Sequence, residues 1–341
     1  MKRDTSSKTI RSQRYLRYDR LLQTKLHQWG FIKEIMSGEM DQTVLIGIVG
    51  NIVSVVGVVI SNKYIVEVDG FNFTVLLSFF HFFFTMIGTR VLLAGKYFEY
   101  KEAAFNNVLP VSIGSLLSVA FMNLNLTNNS VGFYQLSKLI CIPVTLMIQY
   151  MAYNQKVSKL ILFTLLPILF GVGFATVYDV EVHFVGLCFA SFAIVATAMA
   201  QIFTNTYQKS LDCNAMQLLY HSSPVIAVGM LVMCPFFDDL SQLPNYEFSQ
   251  GTVLRIALSC VFALGVNISN YLVLGKTSPL TYQVLGHLKT ILILVLGFTV
   301  FNKPLDLRNC MGITIAMVGV IAYTEIKRRQ QVRIAKASLP R

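Results

Sequence analysis

Ten apolar stretches, each about long enough to cross a bilayer, fill most of this 341-residue chain and leave only short polar links between them. They run at approximately 43–63, 72–94, 106–126, 130–153, 157–178, 183–208, 214–237, 250–274, 278–301 and 307–326. A membrane-crossing helix needs about 20 predominantly apolar residues. The chain is therefore expected to be an all-α polytopic membrane protein with ten transmembrane helices. Composition agrees: 54% of residues are hydrophobic and 13% charged, with a mean hydropathy of +0.59. A soluble domain carries about 25% charged residues.

The formal charge of +11 could suggest nucleic acid, but its placement does not. An even number of spans puts both termini on one side, and 22 of the 28 Lys and Arg then fall on that side. Opposite them lie Glu67, Asp69, Asp179, Glu181, Asp238, Asp239 and Glu247. By the positive-inside rule both termini are cytosolic. Residues 1–42 read as a basic cytosolic tail, 43–326 as the membrane domain and 327–341 as a second basic, solvated tail. Nothing ahead of the first span reads as a cleavable secretory signal. The six cysteines are scattered, with no CxxC and no His at ligand spacing, so neither a disulfide framework nor a metal site is expected. The sequons at Asn72, Asn125, Asn128 and Asn267 fall at or inside spans, where a glycan would have to enter lipid.

Within this apolar sequence stand two lysines, Lys138 and Lys289, and no Asp or Glu lies in any apolar core to neutralise them. A cation there costs about 2.5 to 3.5 kcal/mol even on the lenient insertion scale, so it faces a wet cavity or a partner. Snorkelling serves Lys63 and Arg90, which sit close to span ends, but not residues about nine and twelve positions into a span. The expected partner is an anionic ligand.

The two lysine helices are copies of one another. An offset of 148 pairs Ser130 with Ser278, Tyr134 with Tyr282, Gln135 with Gln283, Asn154 with Asn302 and Gly171 with Gly319, without a gap. Ser61-Asn62-Lys63-Tyr64 matches Thr204-Asn205-Thr206-Tyr207 at a nearby offset, and Asn72 matches Asn214. A five-span unit, 43–178, has thus been duplicated as 183–326. Because five is odd, the copies are inverted, an arrangement that builds secondary transporters with a central site.

Around the lysines, Tyr134 and Lys138 share a helix face with Cys141, and Tyr282, Gly286 and Lys289 form a second stripe flanked by Gln283, His287 and Thr290. Ser278 and Pro279 read as an N-cap followed by proline at the first helical position. Gly286 leaves room for a helix or a ligand. The sixth span carries Thr197, Gln201, Thr204 or Asn205, and Gln208 at helical spacing, and Asn267, Asn270 and Tyr220-His221-Ser222-Ser223 add further donors and acceptors. This mix of aromatic planes, amides and hydroxyls beside cations suits a nucleobase, a sugar and phosphate. Asn123 and Gln208 read equally well as interhelical hydrogen bonds, and His81, inside FFHFFF, as a packed histidine.

The strings SVGFYQLSKLICIP, AQIFTNTYQK, QLLYHSSP and GKTSPLTYQVLGHLKT resemble the nucleotide-sugar transporter and triose-phosphate translocator family of the drug/metabolite transporter superfamily. Within it the resemblance is to the plant-type branch of UDP-xylose and UDP-rhamnose/UDP-galactose transporters, over residues 44–327. It implies a non-enzymatic antiporter of Golgi or ER membranes that exchanges cytosolic UDP-sugar for lumenal UMP, with no cofactor. Its partners would be those two substrates and the lipid bilayer, with a homodimer left open. Two departures bear on the substrate. Thr290 stands where triose-phosphate translocators carry Arg, and Gly286-His287-Leu288-Lys289-Thr290 stands where GDP-mannose transporters read Gly-Ala-Leu-Asn-Lys. The first speaks against a small, highly charged phosphate substrate, and the second speaks against guanine and so favours uridine nucleotides. The alternatives are a plastid-type phosphate translocator and, from another class, a membrane enzyme acting on lipid phosphates with Asp238 and Asp239 as metal ligands.

Overall fold

A computed structural model describes residues 42–129, 131–176, 184–287, 289 and 307–337. The described regular structure is helical: α1 (Gln42–Glu67), α2 (Thr74–Ala94), α3 (Phe105–Asn128), α4 (Val131–Tyr153), α5 (Lys159–Thr176), α6 (Phe184–Ser210), α7 (Ala215–Phe237), α8 (Gln250–Lys276), α9 opening at residue 279, and α10 (Leu307–Ala337). A short 3-10 turn, Leu240–Asn245, joins α7 to α8. Among the described residues, α1, α2, α3, α6, α7 and α8 are long and apolar enough to cross a membrane. Shorter apolar stretches lie in α5 (Lys159–Phe174) and α10 (Cys310–Ile326). The surface carries large apolar side chains, such as Phe163 and Phe170, as expected of helices facing hydrocarbon.

Helix starts follow the local sequence. Asn214 and Gln217 form a reciprocal capping box at the head of α7, and the Ser249 hydroxyl accepts from Thr252 N at the head of α8. Ser278 does the same for Thr281 N, with Pro279 already helical, as the Ser-Pro pair predicts. The head of α2 is capped from far away: Asp238, after α7, accepts from Val75 N at 3.2 Å and Leu76 N at 2.7 Å. That carboxyl is buried, and burial pushes its pKa up against the opposing pull of those amides. After Glu325, α10 continues to Ala337, and Glu325 pairs with Arg329 one turn on.

Residues 46–323 form one compact unit. In it α3 packs along α6 and α2 along α7. Glycines set the closest approaches. A Cβ on Gly171 in α5 would meet the backbone of α10 at Ala316, 2.4 Å from its N. Conversely, one on Gly319 in α10 would meet α5 at Ile168, 2.9 Å from its N. Between α3 and α6, Gly114 lies against Ala200, and between α1 and α8, Gly57 lies against the Phe262 ring.

On the side where α1 meets α2, Phe71, Phe73, Tyr246 and Phe248 form an aromatic cluster with ring centroids 5.0 to 6.3 Å apart. Beside it Arg255 of α8 grips Asp69 through two parallel N–H donors, the Nε bond at 2.7 Å. The Tyr246 hydroxyl donates to Asp69 O at 2.9 Å. Hydrogen bonding to Arg255 holds the Asp69 carboxyl below its ordinary 3.8.

Candidate functional site

The structure gives each central lysine a tyrosine, and the two tyrosines are equivalents at the 148-residue offset. Lys138 Nζ lies 4.0 Å above the centroid of the Tyr134 ring on α4, and Lys289 Nζ 5.0 Å above that of Tyr282 on α9. The ring face is an electron-rich surface that attracts a desolvated ammonium. Among the described residues neither lysine is paired with a carboxylate.

Lys289 nevertheless has a strong neutral partner that the sequence reading passes over: its Nζ donates to Asn51 Oδ1 of α1 at 2.6 Å. The Asn51 amide in turn donates to Ser269 Oγ and to Asn270 Oδ1, both at 2.7 Å. Asn270 also accepts from the Tyr282 hydroxyl at 2.6 Å. The cavity bordered by Asn51, Tyr282 and Lys289 is about 10 Å³, room for one water at most. A much larger groove of about 580 Å³ lies between α3 and α6, lined by side chains such as Ile113, Phe192 and Val195. Its described lining holds no charged group and neither lysine.

Toward α4, Gln283 Nε2 bonds to Thr145 Oγ1 at 2.6 Å, to Gln201 Oε1 at 2.9 Å and to Cys141 O at 3.4 Å. These bonds join α9 to α4 and α6. The other amide atom, Gln283 Oε1, and His287 Nε2 are buried without a partner among the described residues. Such atoms are costly to leave unsatisfied. Next to them an added Cβ on Gly286 would meet nothing within 4 Å among the described residues, so this glycine leaves room there.

Other expected site residues are drawn elsewhere. Asn205 donates to Leu274 O and to Thr277 O and accepts from Lys209, tying down the end of α8. Asn267 donates to Thr85 Oγ1 of α2 at 3.0 Å. Tyr220 packs on Phe98 and Tyr100 with the Arg90 guanidinium 5.2 Å above its ring, and His221 bonds to Lys101 O at 2.8 Å. Ser222 shares a hydrogen bond with the Tyr271 hydroxyl at 2.9 Å. The described partners of these five residues therefore come from neighbouring helices and the α2–α3 loop. Thr290 and the side chain of Gln135 lie outside the described residues. Asn123 bonds to Ser78, Gln208 to Tyr271 O and His81 to Ser259, all between helices, as read from their isolation in apolar sequence.

Asp238 and Asp239 offer little to a metal. Both Asp238 oxygens accept from backbone amides of α2, and both Asp239 oxygens accept from Ser241 and Gln242 in the 3-10 turn.

Together these features define a polytopic helical membrane protein organised around two central cations with neutral polar partners. Residues 46–324 match the Triose-phosphate Transporter family, and the chain belongs to it. It is similar to UDP-xylose transporter 3 of Arabidopsis thaliana, 39% identical over 296 residues, 85% of this chain and 83% of that protein. It also resembles UDP-rhamnose/UDP-galactose transporter 1 of the same plant, 34% identical over 293 residues and 84% of each chain. One solved crystal structure, 9% identical, superposes with a TM-score of 0.65 over 82% of this chain and 98% of its own, a likeness of fold alone. The family and these relatives are transporters, not enzymes, which removes the membrane-enzyme alternative.

Proposed function

We propose that the protein is a nucleotide-sugar antiporter that exchanges cytosolic UDP-sugar, of the UDP-galactose, UDP-xylose or UDP-rhamnose class, for lumenal UMP. It works in the Golgi or ER membrane with both termini cytosolic, through ten transmembrane helices in two inverted five-helix repeats. The names of the relatives support the substrate class. The observation that carries the reading is the pair of lysines on α4 and α9, each over a tyrosine at equivalent repeat positions and without a carboxylate among the described residues. Lys138 and Lys289 would bind phosphate. Tyr282, Gln283, His287 and the space at Gly286 would receive the rest of the nucleotide sugar.

Reciprocal contacts support the repeat. The offset that turns Gly171 into Gly319 also turns Ile168 into Ala316, and Gly171 packs on Ala316 while Gly319 packs on Ile168. A contact that maps onto its own mirror pairing is what a two-fold axis between the copies would produce. Likewise the Gly114·Ala200 contact corresponds to Phe262·Gly57 at the offsets that align these helices. Alternating access would come from rocking the two copies about the central site.

The test is the thermal stability of the purified protein with candidate ligands, since a ligand that binds the folded state raises its melting temperature. UMP and one or more UDP-sugars should raise it, and GDP-mannose and triose phosphate should not. A response to triose phosphate alone would support the plastid-type phosphate translocator instead.

A further inference from the structure

Asn51 stands alone in the apolar run IGIVGNIVSVVG of α1, with its side chain 4% exposed. The Lys289 ammonium fixes the orientation of its amide, because turning Nδ2 toward Nζ would set donor against donor. With Oδ1 on Lys289, its Nδ2 meets Ser269 Oγ and Asn270 Oδ1. Ser269 passes its own proton to Gly265 O at 2.6 Å, and Asn270 Oδ1 also takes the Tyr282 hydroxyl. The amide is thus satisfied at both ends and held rigidly as one acceptor against the cation.

We infer that Asn51 is a built-in surrogate for the substrate's phosphate, occupying Lys289 when the site is empty and yielding it when a nucleotide enters. The inference rests on the reading that Lys289 binds phosphate. An amide oxygen supplies a dipole and not a charge, so it lowers the cost of closing the protein around an uncompensated ammonium without neutralising it. A phosphate oxygen brings a full opposite charge where the amide brings only a dipole, so its attraction for the ammonium in this low-dielectric site is the larger. Substrate therefore displaces Asn51. A carboxylate at the same position would form an ion pair that phosphate has to break. The cavity of about 10 Å³ fits a site closed over its surrogate.

Asn51 then controls how readily the carrier returns empty. In proteoliposomes of the full chain, exchange of external UDP-sugar for internal UMP is measured beside efflux of labelled UMP into substrate-free buffer, which needs empty return. Asn51→Ala should retain exchange and lower efflux by about tenfold or more, the weak end of what a hydrogen bond to a charged group contributes. Asn51→Asp, nearly isosteric, should reduce both exchange and the rise in melting temperature produced by UMP. An unchanged ratio of efflux to exchange in Asn51→Ala, or an undiminished UMP response in Asn51→Asp, overturns the inference. If Lys289→Ala has meanwhile lost its UMP response, the phosphate role of Lys289 survives that result. If Lys289→Ala responds to UMP as the wild type does, both the role and the inference fall.

Discussion

A lysine in the middle of a helix bundle is stabilised here by soft partners: a ring face for Lys138, a ring face and an amide for Lys289. Soft partners can be exchanged for an anion without stranding a counter-ion. Removing either lysine leaves no buried carboxylate uncompensated among the described residues, unlike breaking a buried ion pair. Lys138→Ala and Lys289→Ala are therefore expected to insert and fold, and to lose most transport, read as uptake normalised to folded protein by size-exclusion chromatography. Gly286 gives the complementary probe, since nothing among the described residues lies within 4 Å of an added Cβ. Gly286→Leu should keep the wild-type melting temperature and depress uptake by filling ligand space; equal uptake would mean the space is not used. The lysine stripes were legible because charge and helical spacing are local properties of sequence. Asn51 was not: its meaning depends on a partner 238 residues away, and one Asn in a hydrophobic helix looks like any interhelical hydrogen bond. For Tyr220 and His221 the structure adds neighbours from the α2–α3 loop, Tyr100 and Lys101, that no local pattern announces.

Helix ends and helix contacts divide along the same line. The starts of α7, α8 and α9 could be read from Asn214, Ser249 and Ser278, whose caps are made within three residues. The cap on α2 could not, because Asp238 reaches it across 162 residues. Glycine contacts such as Gly171 on Ala316 follow from the repeat, but only once the two-fold is supplied. Gly171→Ala should cost about 1 to 3 kcal/mol, typical of overpacking against groups that cannot move. Gly50→Ala, with nothing within 4 Å among the described residues, should be neutral or slightly stabilising in the same melting assay. The Asp69–Arg255 pair, joining the α1–α2 loop to α8, carries a pH expectation. Its carboxyl is held below the ordinary value by the hydrogen bond to Arg255, so its stabilisation is present above the usual carboxylate range and is lost as pH falls through the depressed value. Amide hydrogen exchange in residues 68–73, corrected for intrinsic rates, should be equally slow at pH 7 and pH 5. Loss of protection by pH 5 would mean that another group controls this closure.

At the scale of the whole molecule, two cations enclosed by apolar helices make the loaded states easier to close than the empty one. No intramembrane carboxylate appears in the sequence to carry a proton, and the proton-coupled carriers known in physical terms place an Asp, Glu or His in the path. His287 Nε2, buried and without a partner among the described residues, suits the ligand role proposed for it better than a proton relay. Exchange should therefore be strongly favoured, with Asn51 permitting a slow empty return. The most direct measurement is uptake of labelled UDP-sugars into proteoliposomes loaded with UMP, loaded with buffer alone, or carrying an imposed pH gradient. The account expects rapid uptake only with internal UMP, little change when the pH gradient is collapsed, and loss in Lys289→Ala. Concentrative uptake into UMP-free liposomes driven by the pH gradient, or wild-type exchange by Lys289→Ala, would contradict it.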